Sequence, residues 1–281
     1  MDAPRSGPTP VPRISRAGRD LPAAIAVGLA LGAAILVSLF VVRQAFIGLV
    51  AAAIAVATWE LVGALRRGGG IRVPLVLVLA GGQAMIWLSW PFGLQGIFVA
   101  FAITALACVV WRLRGGAAGY LRDVTGSLFT AAYVPMFAAF AAMLAVPADG
   151  AGRVVCFILA VVASDTGGYA AGVLRGRHPM APSISPRKSW EGFGGSLLAG
   201  VGVGVLTITY LVDGQPWQGV LFGAAIVCTA TIGDLVESMI KRDLGVKDMG
   251  WLLPGHGGMM ERLDSMLPSA VVSWLLLTLF V

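Results

Sequence analysis

The residues able to do chemistry are concentrated late in the chain. In GDLVESMIKRD, residues 233–243, Asp234, Glu237, Ser238 and Lys241 recur at spacings of three and four. On a helix they share one face. LPGHGGMMERLD, residues 253–264, follows, with a glycine-rich turn and then Glu261 and Asp264 three apart. Upstream, Asp165 sits in SDTGGY, and SISPRKSWEG, residues 183–192, offers the hydroxyls of Ser183, Ser185 and Ser189 beside Arg187 and Lys188. Carboxylates hold hard divalent cations, Mg²⁺ above all, whereas guanidinium and ammonium groups bind phosphate oxygens. Glycine backbone lets a ligand come close. Together these groups suit the handling of a polyphosphate with a metal ion. There is no Walker loop, HExxH or GxSxG, so the common ATPase, zinc-protease and hydrolase classes are excluded.

Each residue also has a purely structural reading. Asp165 could hydrogen-bond between helices, with Gly167 and Gly168 permitting close packing. Glu237 and Lys241 could form an ordinary surface pair. One of Glu261 and Asp264 could serve the positive end of a helix. His256, alone, fits phosphate or backbone hydrogen bonding better than metal ligation. The structural readings leave Asp234 unexplained, since it follows a long apolar run.

The elements that must position these groups lie in lipid. The chain is 58% hydrophobic and only 12% charged, which fits no soluble globular class. Nine apolar stretches are long enough, or nearly so, to cross a bilayer: about 21–42, 45–64, 72–90, 93–111, 126–147, 153–174, 192–212, 216–232 and 267–281. They are continuously apolar and do not alternate, so the expected fold class is an all-α polytopic membrane protein of nine transmembrane helices. The first stretch is too long for a signal peptide and is expected to be retained.

Placing the N-terminus in the cytoplasm puts all but Arg43 and Arg153 of the 20 Lys and Arg residues on that side, with the C-terminus outside. The net charge of +6 thus reports topology and contact with anionic headgroups, not nucleic-acid binding. Cys108, Cys156 and Cys228 lie in apolar stretches and are expected to be packing residues. Residues 1–19 are expected to form a disordered basic tail, 20–152 a transmembrane scaffold and 153–281 the catalytic region. Glu60 is the one acid at membrane depth in the first five stretches.

SMIKRDLGVKDMGWLLPGHGGMMERLD, residues 238–264, closely resembles the signature of the phosphatidate cytidylyltransferases, the CDP-diacylglycerol synthases. Ser238, Lys241, Arg242, Lys247, Asp248, Pro254, His256, Gly257, Gly258, Arg262 and Asp264 match it. SDT at 164–166 and SPRKSWEG at 185–192 resemble its upstream blocks, so the resemblance spans about 164–281. At one position the chain departs: Glu261 stands where the signature has Asp. The extra methylene would shift a metal ligand by about 1.5 Å.

The resemblance implies transfer of the cytidylyl group of CTP to phosphatidate, releasing pyrophosphate. It implies Asp234 and Glu261 as first metal ligands, with Asp264 and Asp165 as further ones. Lys241, Arg242, Lys247, Arg187 and Lys188 would bind phosphates, with Asp248 in the catalytic set. Ser183, Ser185, Ser189, Ser238, His256, Gly257, Gly258 and Arg262 would contact substrate. Expected partners are CTP, phosphatidic acid and membrane lipids, with no nucleic acid; a homodimer and a second cation beside Mg²⁺ stay open. The expected location is the bacterial plasma membrane, with the site facing the cytoplasm. Three other readings remain: a CTP-dependent lipid kinase, a relative impaired by Glu261, and a cation-coupled transporter.

Overall fold

The computed structural model describes residues 32–250 and 258–281. The expected tail and the positions of His256 and Gly257 fall outside them. Lipid offers no hydrogen bonds, so the backbone must satisfy itself within helices. The described elements are α1 (Gly32–Val41), α2 (Arg43–Gly69), α3 (Leu75–Leu113), α4 (Tyr120–Leu144), α5 (Gly150–Arg175), β1 (Pro179–Ala181), β2 (Ser185–Ser189), α6 (Trp190–Leu211), α7 (Pro216–Asp243) and α8 (Met260–Phe280). Among the described residues seven helices, α2 to α8, are long and apolar enough to cross a membrane. The chain is therefore an all-α polytopic membrane protein carrying one small antiparallel hairpin, β1–β2, that the sequence reading did not anticipate.

The seven helices do not map one-to-one onto nine stretches. The first stretch, 21–42, is described only from Gly32, and the third and fourth are a single element, α3. At 39 residues, a straight α3 would be about twice as long as the ~30 Å hydrocarbon core. It is not straight. Gly93 has φ 56 and ψ −138, a backbone state open to glycine, just after Pro91. Beyond it the chain doubles back: a Cβ on Gly81 would strike the Thr104 side chain, and one on Gly96 the Leu88 carbonyl. In a straight helix, positions as far apart as 81 and 104 would be about 35 Å apart. α3 is thus two antiparallel arms.

The doubling explains which ends meet. Arg43 donates to the carbonyls of Pro147 and Ala148, each at 2.8 Å. At the opposite end Asp123 accepts from Arg112 Nε at 2.8 Å and from the Arg72 backbone N–H at 3.1 Å. Asp123 is buried, and a buried carboxylate persists only when paired in this way. α4 contains a wide turn at Ala132–Met136 around Pro135, which lacks an N–H and displaces the preceding carbonyl. Gly82 of α3 leaves room for that proline ring.

α5, α6 and α7 approach through small residues. A Cβ on Gly167 would lie 2.6 Å from the Ala199 Cβ, and one on Gly204 would lie 2.6 Å from the Gly219 carbonyl. Helices in lipid associate by such packing, since burial of apolar area gives them no drive. Ser196 adds a hydrogen bond across the α5–α6 seam, donating to the Ser164 carbonyl at 2.7 Å. α7 continues well beyond the apolar stretch 216–232, to Asp243, so Asp234, Glu237, Ser238 and Lys241 lie on one helix. The three cysteines are free; Cys108 and Cys156 are buried, whereas Cys228 is exposed on the outer surface.

Replacing Gly195 by Val tests the seam. A Cβ there would collide with the Ala171 Cβ and the Gly167 carbonyl. Overpacking of this kind costs about 1–3 kcal/mol. The purified variant should melt several degrees below the parent in detergent, whereas Gly194→Val, with open space at its Cβ, should not.

Candidate active site

The C-terminal half of α5 places Asp165 one turn before Tyr169 and two before Val173, and the chain leaves the helix at Gly176. The β1–β2 hairpin then folds back and feeds directly into α6, whose N-cap is Ser189; its hydroxyl accepts from the Gly192 N–H at 3.1 Å. Ser and Thr suit that position because they satisfy a free N–H of the first turn. Glu191 braces the other side, accepting from the Arg177 and His178 N–H groups at 3.1 and 3.2 Å and meeting His178 Nδ1 at 2.5 Å.

Between α5, the hairpin, the start of α6 and the middle of α7 lies a cavity of about 570 Å³. Its wall includes Asp165, Arg177, Arg187, Lys188, Ser189 and Asp234, with Tyr169, Val173 and Phe193 as an apolar flank. Lys188 forms an ion pair with Asp234, joining the hairpin to α7. Asp264, one turn into α8, packs its backbone against Gly233, beside Asp234. The next residue, Ser265, reaches toward Asp165, its Oγ 3.5 Å from Oδ2. Three acids from three helices thus converge at one place, with three cationic side chains on the hairpin side.

The remaining expected residues have other neighbours. Lys241 pairs with the buried Glu237 one turn earlier on α7. Arg242 donates to the Ile184 carbonyl at the hairpin tip. Ser183, Lys247, Asp248 and Arg262 are exposed; Ser185 and Ser238 are half-buried, and none of these lines the cavity. Gly258 lies against the carboxylates of Glu60 and Glu261. Glu261 was expected among the metal ligands, but its oxygens take backbone donors: Met249 N–H at 2.6 Å and Gly258 N–H at 2.9 Å. Glu261 thus links Met249 to Gly258.

Sequence reasoning passed over Arg177 and Tyr169. Arg177 had been counted only as a marker of topology, and its place on the cavity wall depends on the hairpin. It also treated α2 as scaffold, although Arg67 and Glu60 contact the signature segment.

The donors present suit Mg²⁺ of a particular kind. Among the described residues no three His, Cys, Asp or Glu side chains form a ready metal cage. Mg²⁺ does not require one; it is commonly bound by one or two carboxylates, with substrate phosphates and water completing the octahedron. Asp165 and Asp234 on the cavity wall, with Asp264 adjoining, supply that number.

A family profile described as Cytidylyltransferase family matches residues 22–280. A protein named phosphatidate cytidylyltransferase from Mycobacterium bovis is 50% identical over 283 residues, covering 96% of this chain and 92% of its own. One of the same name from Mycobacterium leprae is 51% identical over 280 residues, covering 94% and 89%. A Staphylococcus aureus protein of that name is 38% identical over 145 residues, 51% of this chain and 55% of its own.

The cationic wall can be probed directly with inorganic pyrophosphate. A hydrogen bond to a charged group contributes about 1.5–3 kcal/mol, so Lys188→Met and Arg187→Met should each weaken pyrophosphate binding roughly tenfold to a hundredfold. Lys247→Met, outside the cavity, should leave it unchanged. Isothermal titration of the purified proteins measures all three.

Proposed function

The chain belongs to the cytidylyltransferase family, and from that premise we propose that it transfers the cytidylyl group of CTP to phosphatidate, yielding CDP-diacylglycerol and pyrophosphate for phospholipid synthesis. The observation that carries this reading is the cavity in which Arg177, Arg187 and Lys188 face Asp165 and Asp234 beside an apolar flank. A lipid phosphate can sit on the charged side while its acyl chains stay among the helices.

A phosphatidate oxygen attacks the α-phosphorus of CTP in line; the new P–O bond forms as the bond to the β-phosphate oxygen breaks, and pyrophosphate leaves with the electron pair. The nucleophile is already an anion, so no general base is required. The difficulty is electrostatic, because two anions must meet while the leaving group gains charge. Arg177, Arg187 and Lys188 offset the phosphate charge and orient both reactants. Asp165 and Asp234, with Asp264 adjoining, would hold Mg²⁺, which when bound would supply Lewis-acid stabilisation of the phosphates. Lys241 acts through Glu237, keeping that buried carboxylate paired beside Asp234's helix turn.

The proposed topology has nine passes, the N-terminus and this site in the cytoplasm of the plasma membrane, and the C-terminus outside. It is supported by the distribution of Lys and Arg and by the two arms of α3, which bring Arg72, Arg112 and Asp123 to one side.

Release of pyrophosphate from CTP that depends on added phosphatidate and Mg²⁺ is the expected result. Production of CDP instead would identify a lipid kinase, and silence from folded protein would remove the enzyme reading. Glu261→Asp should be slower than the parent by about tenfold, because the shorter side chain gives up the hydrogen bond from Met249 or from Gly258. A variant faster than the parent would return Glu261 to the metal and mark this chain as impaired.

A further inference from the structure

Glu60 stands apart from the acids of the cavity. It lies within α2, buried at 2% exposure, yet its partners are at the other end of the chain. Met260 N–H donates to its Oε2 at 2.9 Å. Gly250 and Gly258 press against the same carboxylate; a Cβ on Gly258 would lie 2.5 Å from Oε2, and one on Gly250 would overlap the carboxylate. About two turns further along α2, Arg67 Nη2 donates to the Met249 carbonyl at 2.8 Å. α2 therefore holds Met249 and Met260 within the signature segment, while Glu261 ties Met249 to Gly258. Leu244, Met249 and Met260 complete the attachment by packing in one core with Ile54, Ala57 and Leu61 of α2.

The bond to Met260 has a directional consequence. The first N–H groups of a helix have no partner within it, and Met260 opens α8. A carboxylate supplied from another helix satisfies that donor and complements the positive end of the helix dipole. Asp264 follows one turn later, with its backbone against Gly233. The carboxylate of Glu60 thus fixes where the first turn of α8 starts, and that start fixes where Asp264 meets Asp234 and Asp165.

We propose that Glu60 is a positioning residue for the transfer reaction, holding the start of α8 so that Asp264 joins the acids of the cavity. This rests on the reading of those acids as the active site. A residue that only stabilised the fold would change the amount of folded protein and leave turnover per folded molecule alone. A positioning residue changes turnover while substrate binding, built from the hairpin, is retained.

The test uses full-length protein in lipid nanodiscs, with Glu60→Ala, Glu60→Gln and Gly258→Ala beside the parent. Steady-state kinetics give kcat and KM for CTP, and hydrogen–deuterium exchange reports backbone opening peptide by peptide. Misplacing a reacting group by about 1 Å can cost about 10²-fold, so Glu60→Ala should lower kcat on that scale with little change in KM. Exchange should rise in the peptide covering 258–264 and stay at parent levels in α5 to α7. Glu60→Gln keeps a carbonyl acceptor for Met260 and should recover most of kcat; Gly258→Ala, crowding the carboxylate from the other side, should resemble Glu60→Ala. Parent-level kcat in Glu60→Ala, a Gln variant as slow as Ala, or exchange rising throughout the molecule would overturn the proposal. If the parent itself released no pyrophosphate, the transfer reading would fail, while the exchange comparison would still decide whether Glu60 holds the start of α8.

Discussion

The close approach of α5 and α6 is the constraint on which the site depends. Gly167, Gly168 and Gly172 face Gly192, Gly195 and Ser196, and the two backbones meet where side chains would otherwise separate them. In lipid this contact has to come from packing and hydrogen bonds. Its consequence is local to the chemistry. The β1–β2 hairpin leaves α5 at Gly176 and enters α6 after Ser189, and a Cβ on Gly176 would lie only 2.9 Å from the Ser189 hydroxyl. Both feet of the hairpin are therefore pinned together. Arg177, Arg187 and Lys188 take their distance from Asp165 from that pin, not from the hairpin's own weak pairing.

Much of this was legible in the sequence for one physical reason: a charge in an apolar chain is costly and must have a use. Asp165 and Asp234 stood out on that ground, and the structure gathers both on one cavity wall with Lys188, which the sequence offered only as a phosphate-binding group of a cytoplasmic loop. The helical spacing of Glu237 and Lys241 allowed a surface pair; a pair is present, but with Glu237 buried. The hairpin was not legible, because SISPRKSWEG carries serines and a proline that read as loop, and its strands form only through the helices that hold their ends. The fold-back at Gly93 was visible as two apolar stretches, but only the contacts of Gly81 and Gly96 show that the two arms pack against each other.

Glu261 shows where spacing runs out. An acid at the start of a helix suits a metal and suits backbone N–H groups equally, and only the positions of Met249 and Gly258 show which donors it meets here. Glu60 is the converse. Its oddity was plain, since no other acid lies at membrane depth in the first five apolar stretches, but its partner Met260 is 200 residues away. The division into an N-terminal scaffold and a C-terminal catalytic region is accordingly crossed at the signature itself, whose buried residues Leu244, Met249 and Met260 belong to the core built by α2 and α3.

The Lys188–Asp234 pair shows how such a site can await substrate. Its side chains are 26% and 29% exposed. A pair with that much access to water contributes little to stability, about 0–1 kcal/mol at most, so holding the fold is a poor account of it. Left alone on the cavity wall, however, either charge would face a low-dielectric surface without a counter-ion. Pairing compensates both at small cost and keeps both exchangeable. In the proposed reaction an entering polyphosphate would offer the ammonium better partners than a single carboxylate, and a carboxylate released from Lys188 would be a hard oxygen donor for a divalent cation. The weakness of the pair suits the proposed chemistry: a strong, fully buried bridge would hold Asp234 and Lys188 together against an entering substrate.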